Sequence, residues 1–294
     1  LAGDALTAAF ENVAIGYEAQ TTDTLGRRTV AVGNGALQSQ NFTTATNTYN
    51  VAVGYDAGTA VTTGILNTLV GSLAGDAITT GSSNVAMGYN ALGTEDAHDL
   101  NIAIGANALG NQNAGANGYN VAVGHDAGAS VTTGVRNTIV GGIAGDALTD
   151  ADYNVAMGYQ ALTTDTLGSR SVAIGYSALR DQSFTTATDT YNTAVGYQAG
   201  TSVTTGTLNT LIGGAAGDAT TTGERNVAVG YNALTTNILG SRTVAIGQGA
   251  LADQNYTTAT DSYNTAVGDS AGLQVTTGTK NTLVGGLAGD ALTA

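Results

Sequence analysis

The sequence has 294 residues, of which 43 are Gly and only 10% are charged, with no Pro, Cys or Trp; this bias fits neither one large globular core nor two smaller ones and asks for internal repeats first. With 22 acidic against 8 basic side chains the net charge is −14, which repels nucleic acid and anionic membrane surfaces. No apolar run reaches the length of a membrane span, and without cysteine there are neither disulfides nor thiol chemistry.

The chain opens on Leu1-Ala2-Gly3-Asp4, which lacks the charged-then-apolar layout of a signal peptide, and residues 1–11 read as the end of a preceding coil. The first complete motif follows at Asn12-Val13-Ala14-Ile15-Gly16. Its pattern is a polar residue, Val or Thr, Ala or a larger aliphatic, Val/Ile/Met, and Gly. Anchored on that glycine it recurs at Gly33, Gly54, Gly71, Gly88, Gly105, Gly124, Gly141, Gly158, Gly175, Gly196, Gly213, Gly230, Gly247, Gly268 and Gly285, making 16 units. The gaps are 17 residues, lengthened to 19 or 21 once in every four units. The chain is therefore read as a single array over 1–294, with super-repeats at about 12–83, 84–153, 154–225 and 226–294.

Each motif is a short β-branched run closed by glycine, which predicts a strand; a helix would need a 3.6-residue stripe over ten or more positions. Ten residues past the anchor a second glycine often recurs (Gly26, Gly64, Gly81, Gly134), and apolar Val61, Ile78, Val131 and Leu148 precede it in several units, which predicts a second strand and turn. Two strands and two turns use up about 17 residues. The expected fold is all-β: a parallel β-solenoid, a two-sided β-roll of about 16 coils with 17–21 residues per coil and a four-coil super-repeat.

The residue four before the anchor is Asn in 13 of 16 units, replaced by Thr29, Ser171 and Thr243 in the others. Stacked amides form a hydrogen-bonded ladder, or else each Asn closes its own turn. Ala stands three after the anchor in all 16 units, which marks a tight site. The residue just before the anchor is always large and apolar, so its face of the strand is expected to fill the roll, Val123 included. The middle residue on the other face is also apolar. A strand apolar on both faces is covered on both, so Ala86, Ala103, Ala122 and Ile139 are expected to pack against another chain, the alternative being small alanines tolerated on a glycine-rich surface.

The units Asn12-Val13-Ala14-Ile15-Gly16, Ser171-Val172-Ala173-Ile174-Gly175 and Asn226-Val227-Ala228-Val229-Gly230 resemble the head repeats of trimeric autotransporter adhesins, whose core reads S-V-A-I-G followed by Ala. Longer units such as Asn192-Thr193-Ala194-Val195-Gly196-Tyr197-Gln198-Ala199-Gly200 look like repeats of phage tail-fibre and bacterial surface-fibre proteins. The resemblance covers the whole chain and implies a parallel β-roll, often three chains side by side, acting as an extracellular stalk or receptor-binding head on a cell surface or virion. The 17-residue coil and four-coil period depart from the adhesin pattern.

Three super-repeats carry a longer excursion with an aromatic: Phe42, Phe184 and Tyr256, each followed by a second one, Tyr49, Tyr191 and Tyr263. Recognition favours loops that leave a rigid scaffold, so these six are candidates for lateral contact or for a surface glycan or receptor; equally, the aromatic folds back to cap its coil. The fourth excursion, Gln112 to Gly118, is shorter and has no aromatic. His98 and His125 are the only histidines and lie in unlike settings, so no catalytic triad and no enzyme is expected. No cofactor is expected either. Asp76, Asp146, Asp218 and Asp290 recur once per four coils, roughly 19 Å apart at about 4.8 Å per coil; they read as solvating turn carboxylates, with separate calcium sites the alternative. The Thr pairs at 62–63, 132–133, 204–205 and 276–277 raise an ice-binding array, but too sparse a one. Because LAGDALTA occurs at both 1–8 and 287–294, the chain reads as a window on a longer array. The expected function is a non-enzymatic structural or adhesive fibre segment that associates with its own copies, the alternative being a subunit of a head-to-tail surface filament.

Overall fold

A computed structural model describes residues 1–115 and 117–294; Ala116, in the shortened excursion, lies outside them. The chain is a parallel β-solenoid of sixteen coils with no helix among the described residues. It divides into two compact units, Leu1–Asp150 and Ala151–Ala294. In the first, eight three-residue strands stack in parallel, from Val13–Ile15 and Val30–Val32 through Val121–Val123 and Thr138–Val140. The second unit repeats this with eight strands from Val155–Met157 to Thr282–Val284. Register is unbroken within each unit, like residue over like: Val13 on Val30, Ala14 on Ala31, Ile15 on Val32.

The anchor glycines fix that register. Each has a φ between +125° and +146°, and within each unit a β-carbon on an anchor would collide with backbone atoms of the next anchor glycine. No other residue combines that conformation with so close a coil approach. Around the rest of the coil the chain bends through left-handed residues at fixed places, including one immediately before every ladder Asn or its substitute, from Glu11 (φ 62°) to Lys280 (φ 62°).

Among the described residues the second strand is present at three places, as two-residue pairs: Gly26–Arg27 with Thr46–Asn47, Gly168–Ser169 with Thr188–Asp189, and Gly240–Ser241 with Thr260–Asp261. Elsewhere turns and bends replace the expected strand.

The face assignment expected from sequence is reversed. Ala86, Ala103, Ala122 and Ile139 are wholly buried inside their own chain and cannot be the chain-to-chain contact. The residues on either side of them point outward, and Ile15, Val53, Met87 and Ile102 are exposed. The reason lies in the ladder Asn, which is buried and shares a face with the middle residue two positions on. Asn67 is typical. Its Oδ1 accepts the backbone N–H of Asn84 at 3.0 Å and its Nδ2 donates to the Gly81 carbonyl at 2.8 Å. Only an inward-facing amide reaches that turn carbonyl, so the amides form the expected coil-to-coil ladder, mainly through backbone groups, with a direct amide contact from Asn209 Nδ2 to Asn192 Oδ1 at 3.3 Å. At the exceptions Thr29, Ser171 and Thr243, hydroxyls pair with Thr48, Thr190 and Ser262 at 2.6–2.7 Å.

Packing of large against small residues explains the four-coil period. Where the middle strand residue is Leu69, the residues four past the anchors of its own and the preceding coil are Gly75 and Gly58. A methyl group on them would lie 2.8 Å from Leu69 Cδ2 and 2.6 Å from Leu69 Cδ1. Where the strand carries Ala86 or Ala103, that place holds buried Leu92 or Leu109. Leu211 repeats the arrangement between Gly200 and Gly217 in the second unit.

Candidate functional site

Three features stand out: the outward strand face, the lateral excursions, and one titratable cluster. On the outward face, the first and third residues of every strand are Val, Ile, Met or Thr, and none of the sixteen strands places a charge there. In each unit this makes a band eight coils tall, half-buried to exposed throughout. Exposed Tyr17, Tyr55 and Tyr89 border it in the first unit. In the second, Tyr159, Tyr176 and Tyr197 stack along the border with ring centroids 5.8 and 5.2 Å apart.

The six aromatics singled out by sequence divide into two sets. Phe42, Phe184 and Tyr256 fold back and are buried, so they cap their coils and are closed to a ligand. Tyr256 donates its hydroxyl to the Gly278 carbonyl at 2.7 Å, and burial pushes its phenol above the usual tyrosine range. Tyr49, Tyr191 and Tyr263 remain exposed, each beside a guanidinium: Arg28, Arg170 and Arg242 lie 5.6, 5.9 and 5.7 Å from their ring centroids.

Beneath the capped excursions runs a sealed polar chain. In the first super-repeat Gln40 Nε2 donates to Asp23 Oδ2 at 2.6 Å and to Thr29 Oγ1 at 3.2 Å, while its Oε1 accepts from Asn50 at 2.9 Å. Gly26 and Phe42 give their N–H groups to Asp23 Oδ1. Gln182 repeats this with Asp165, Ser171 and Asn192.

The second super-repeat breaks the pattern. Glu95 stands for the aspartate, His98 for the glycine, Ala114 for the aromatic and Gly118 for the threonine. The extra methylene takes the carboxylate away from glutamine: Glu95 Oε1 receives His98 Nδ1 at 2.6 Å and the backbone N–H groups of Asp96 and His98 at 3.1 and 3.2 Å. Glu95 Oε2, Gln112 Nε2 and Asn101 Nδ2 are buried without a hydrogen-bond partner. Burial pushes the Glu95 carboxyl above the usual range, against the opposing pull of His98. Sequence reasoning noticed His98 but not its neighbours.

Asp76 and Asp146 each keep a buried, unpartnered Oδ1, and burial first, then the neighbouring charges of Asp56 and Asp126, raise their carboxyls. Asp218 instead receives the Thr235 hydroxyl at 2.6 Å. Of the threonine pairs, the first members Thr62, Thr132, Thr204 and Thr276 donate to carbonyls of the next coil, whereas the second members Thr63, Thr133, Thr205 and Thr277 are exposed.

No family model, curated protein or solved structure matches the chain.

Proposed function

We propose that this chain is a structural segment of an extracellular fibre, without a catalytic role, whose copies associate side by side through the outward Val/Ile face. The uncharged band of exposed aliphatic side chains carries this reading. A parallel sheet is stable when both faces are covered. The interior covers one face with Ala, Leu and Asn; the other presents a band about 38 Å tall in each unit at about 4.8 Å per coil. Patches of this extent on soluble chains mark interaction surfaces, and repetition of β-branched columns at one spacing suits a surface of the same spacing, namely another copy. The likeness to adhesin and tail-fibre repeats supports the extracellular placement. The exposed Tyr49, Tyr191 and Tyr263, each beside an arginine, are the places on this fibre best suited to a surface glycan or receptor.

Sedimentation equilibrium at micromolar concentration tests the reading. The expected mass is a whole multiple, two or three, of the 29.0 kDa chain. A stable monomer would overturn it.

A further inference from the structure

We propose that Glu95, Asp96 and His98 form a binding site for one divalent transition-metal ion. The three offer ligand atoms that all lie within 4.8 Å of one another, and they are the only such group among the described residues. His98 Nδ1 is 2.6 Å from Glu95 Oε1 and 3.8 Å from Asp96 Oδ1, separations a metal can span with bonds of about 2.0–2.2 Å to nitrogen and oxygen.

The second, independent observation is the state of Glu95. Its side chain is 0% exposed, yet Oε2 has no partner. In the equivalent coils of the first and third super-repeats both aspartate oxygens are satisfied, by glutamine on one and backbone N–H groups on the other. A buried carboxylate oxygen left unpaired is costly and calls for a positive partner. Here the substitution of Glu for Asp moves the carboxylate from a sealed amide to an imidazole and a half-exposed second carboxylate. One imidazole with two carboxylates suits Zn²⁺, Co²⁺ or Ni²⁺ better than Ca²⁺, which takes six to eight oxygens.

A packing role for His98 must be separated from ligation. In the fourth super-repeat the aromatic lies against the glycine that His98 replaces: a β-carbon on Gly240 would be 2.8 Å from Tyr256 Cδ2. His98→Phe therefore keeps a ring at that place but removes the ligand, and Glu95→Gln keeps the shape but removes the charge. His125, paired with Asp126 alone at 2.9 Å, is the control. The experiment is calorimetric titration of the full chain with ZnCl₂, with the visible absorption of the Co²⁺ form as a second readout. The expected result is one equivalent bound per chain, weakened at least about tenfold by His98→Phe and by Glu95→Gln, and unchanged by His125→Phe. The proposal is overturned if the native chain shows no saturable binding below about 1 mM, or if His98→Phe binds as the native chain does while circular dichroism shows both folded.

Discussion

Gly58 and Leu69 give the sharpest test of the large-against-small packing. In Gly58→Ala the new methyl would lie 2.6 Å from Leu69 Cδ1, 3.0 Å from Leu37 Cδ2 and 3.3 Å from Val61 Cγ2, all inside the optimum of about 3.5–4.0 Å for carbon pairs. Overpacking together with the left-handed backbone should cost about 2–4 kcal/mol. Leu69→Ala, at a wholly buried site, should cost about 2–5 kcal/mol through lost transfer energy and the cavity left behind. Combined, the two changes compensate: the methyl enters the space the isobutyl group vacated, so the double variant should be about 1–2 kcal/mol more stable than the sum of the singles. Urea unfolding of the native chain and the three variants, followed by circular dichroism, measures this coupling. Additivity within about 0.5 kcal/mol would refute the packing.

Further outcomes follow from the same geometry. Asn67→Ala removes an inward amide serving Gly81 and Asn84; leaving two buried backbone groups unpaired should lower stability by about 2–4 kcal/mol in urea unfolding, whereas Thr at the same place should cost less, since Thr29 occupies that position elsewhere. Asp76 and Asp146 have folded-state carboxyls raised above their unfolded value, so the folded chain holds these protons more tightly. Their contribution is fully present below the unfolded value at about pH 4 and is lost as pH rises through the raised folded value; Asp76→Asn with Asp146→Asn should flatten the fall of thermal stability between the unfolded and the raised folded values, and an unchanged slope there would count against it.

The anchor spacing made the coil count, the parallel stacking and the strand position of every motif legible in the sequence. It did not decide which strand face lies inside, because Val-Ala-Val is apolar on both. The deciding signal was the Asn four before the anchor: an amide that must reach a turn carbonyl within the coil carries Ala122 inward with it and leaves Val123 outside. On that assignment Val123→Asp meets solvent or a neighbouring chain and does not open the coil. The folding-back of Phe42, Phe184 and Tyr256 was undecided from sequence, since a loop aromatic beside hydroxyls suits contact and capping alike. The Glu95 cluster was hidden because its substitutions, Asp to Glu and Gly to His, are each ordinary; only the redirected hydrogen bonds expose them as one change.

The central claim is that the Ala face is sealed within each chain and the Val face is closed by a neighbour. The chain has no cysteine, so single variants Ala122→Cys and Val123→Cys report directly through the rate of thiol labelling across a dilution series. The account predicts that Cys at 122 stays protected at every concentration, while Cys at 123 is protected in the associated state and labels rapidly once dilution separates the chains. Rapid labelling at 122, or labelling at 123 that is equally fast at all concentrations, would contradict it.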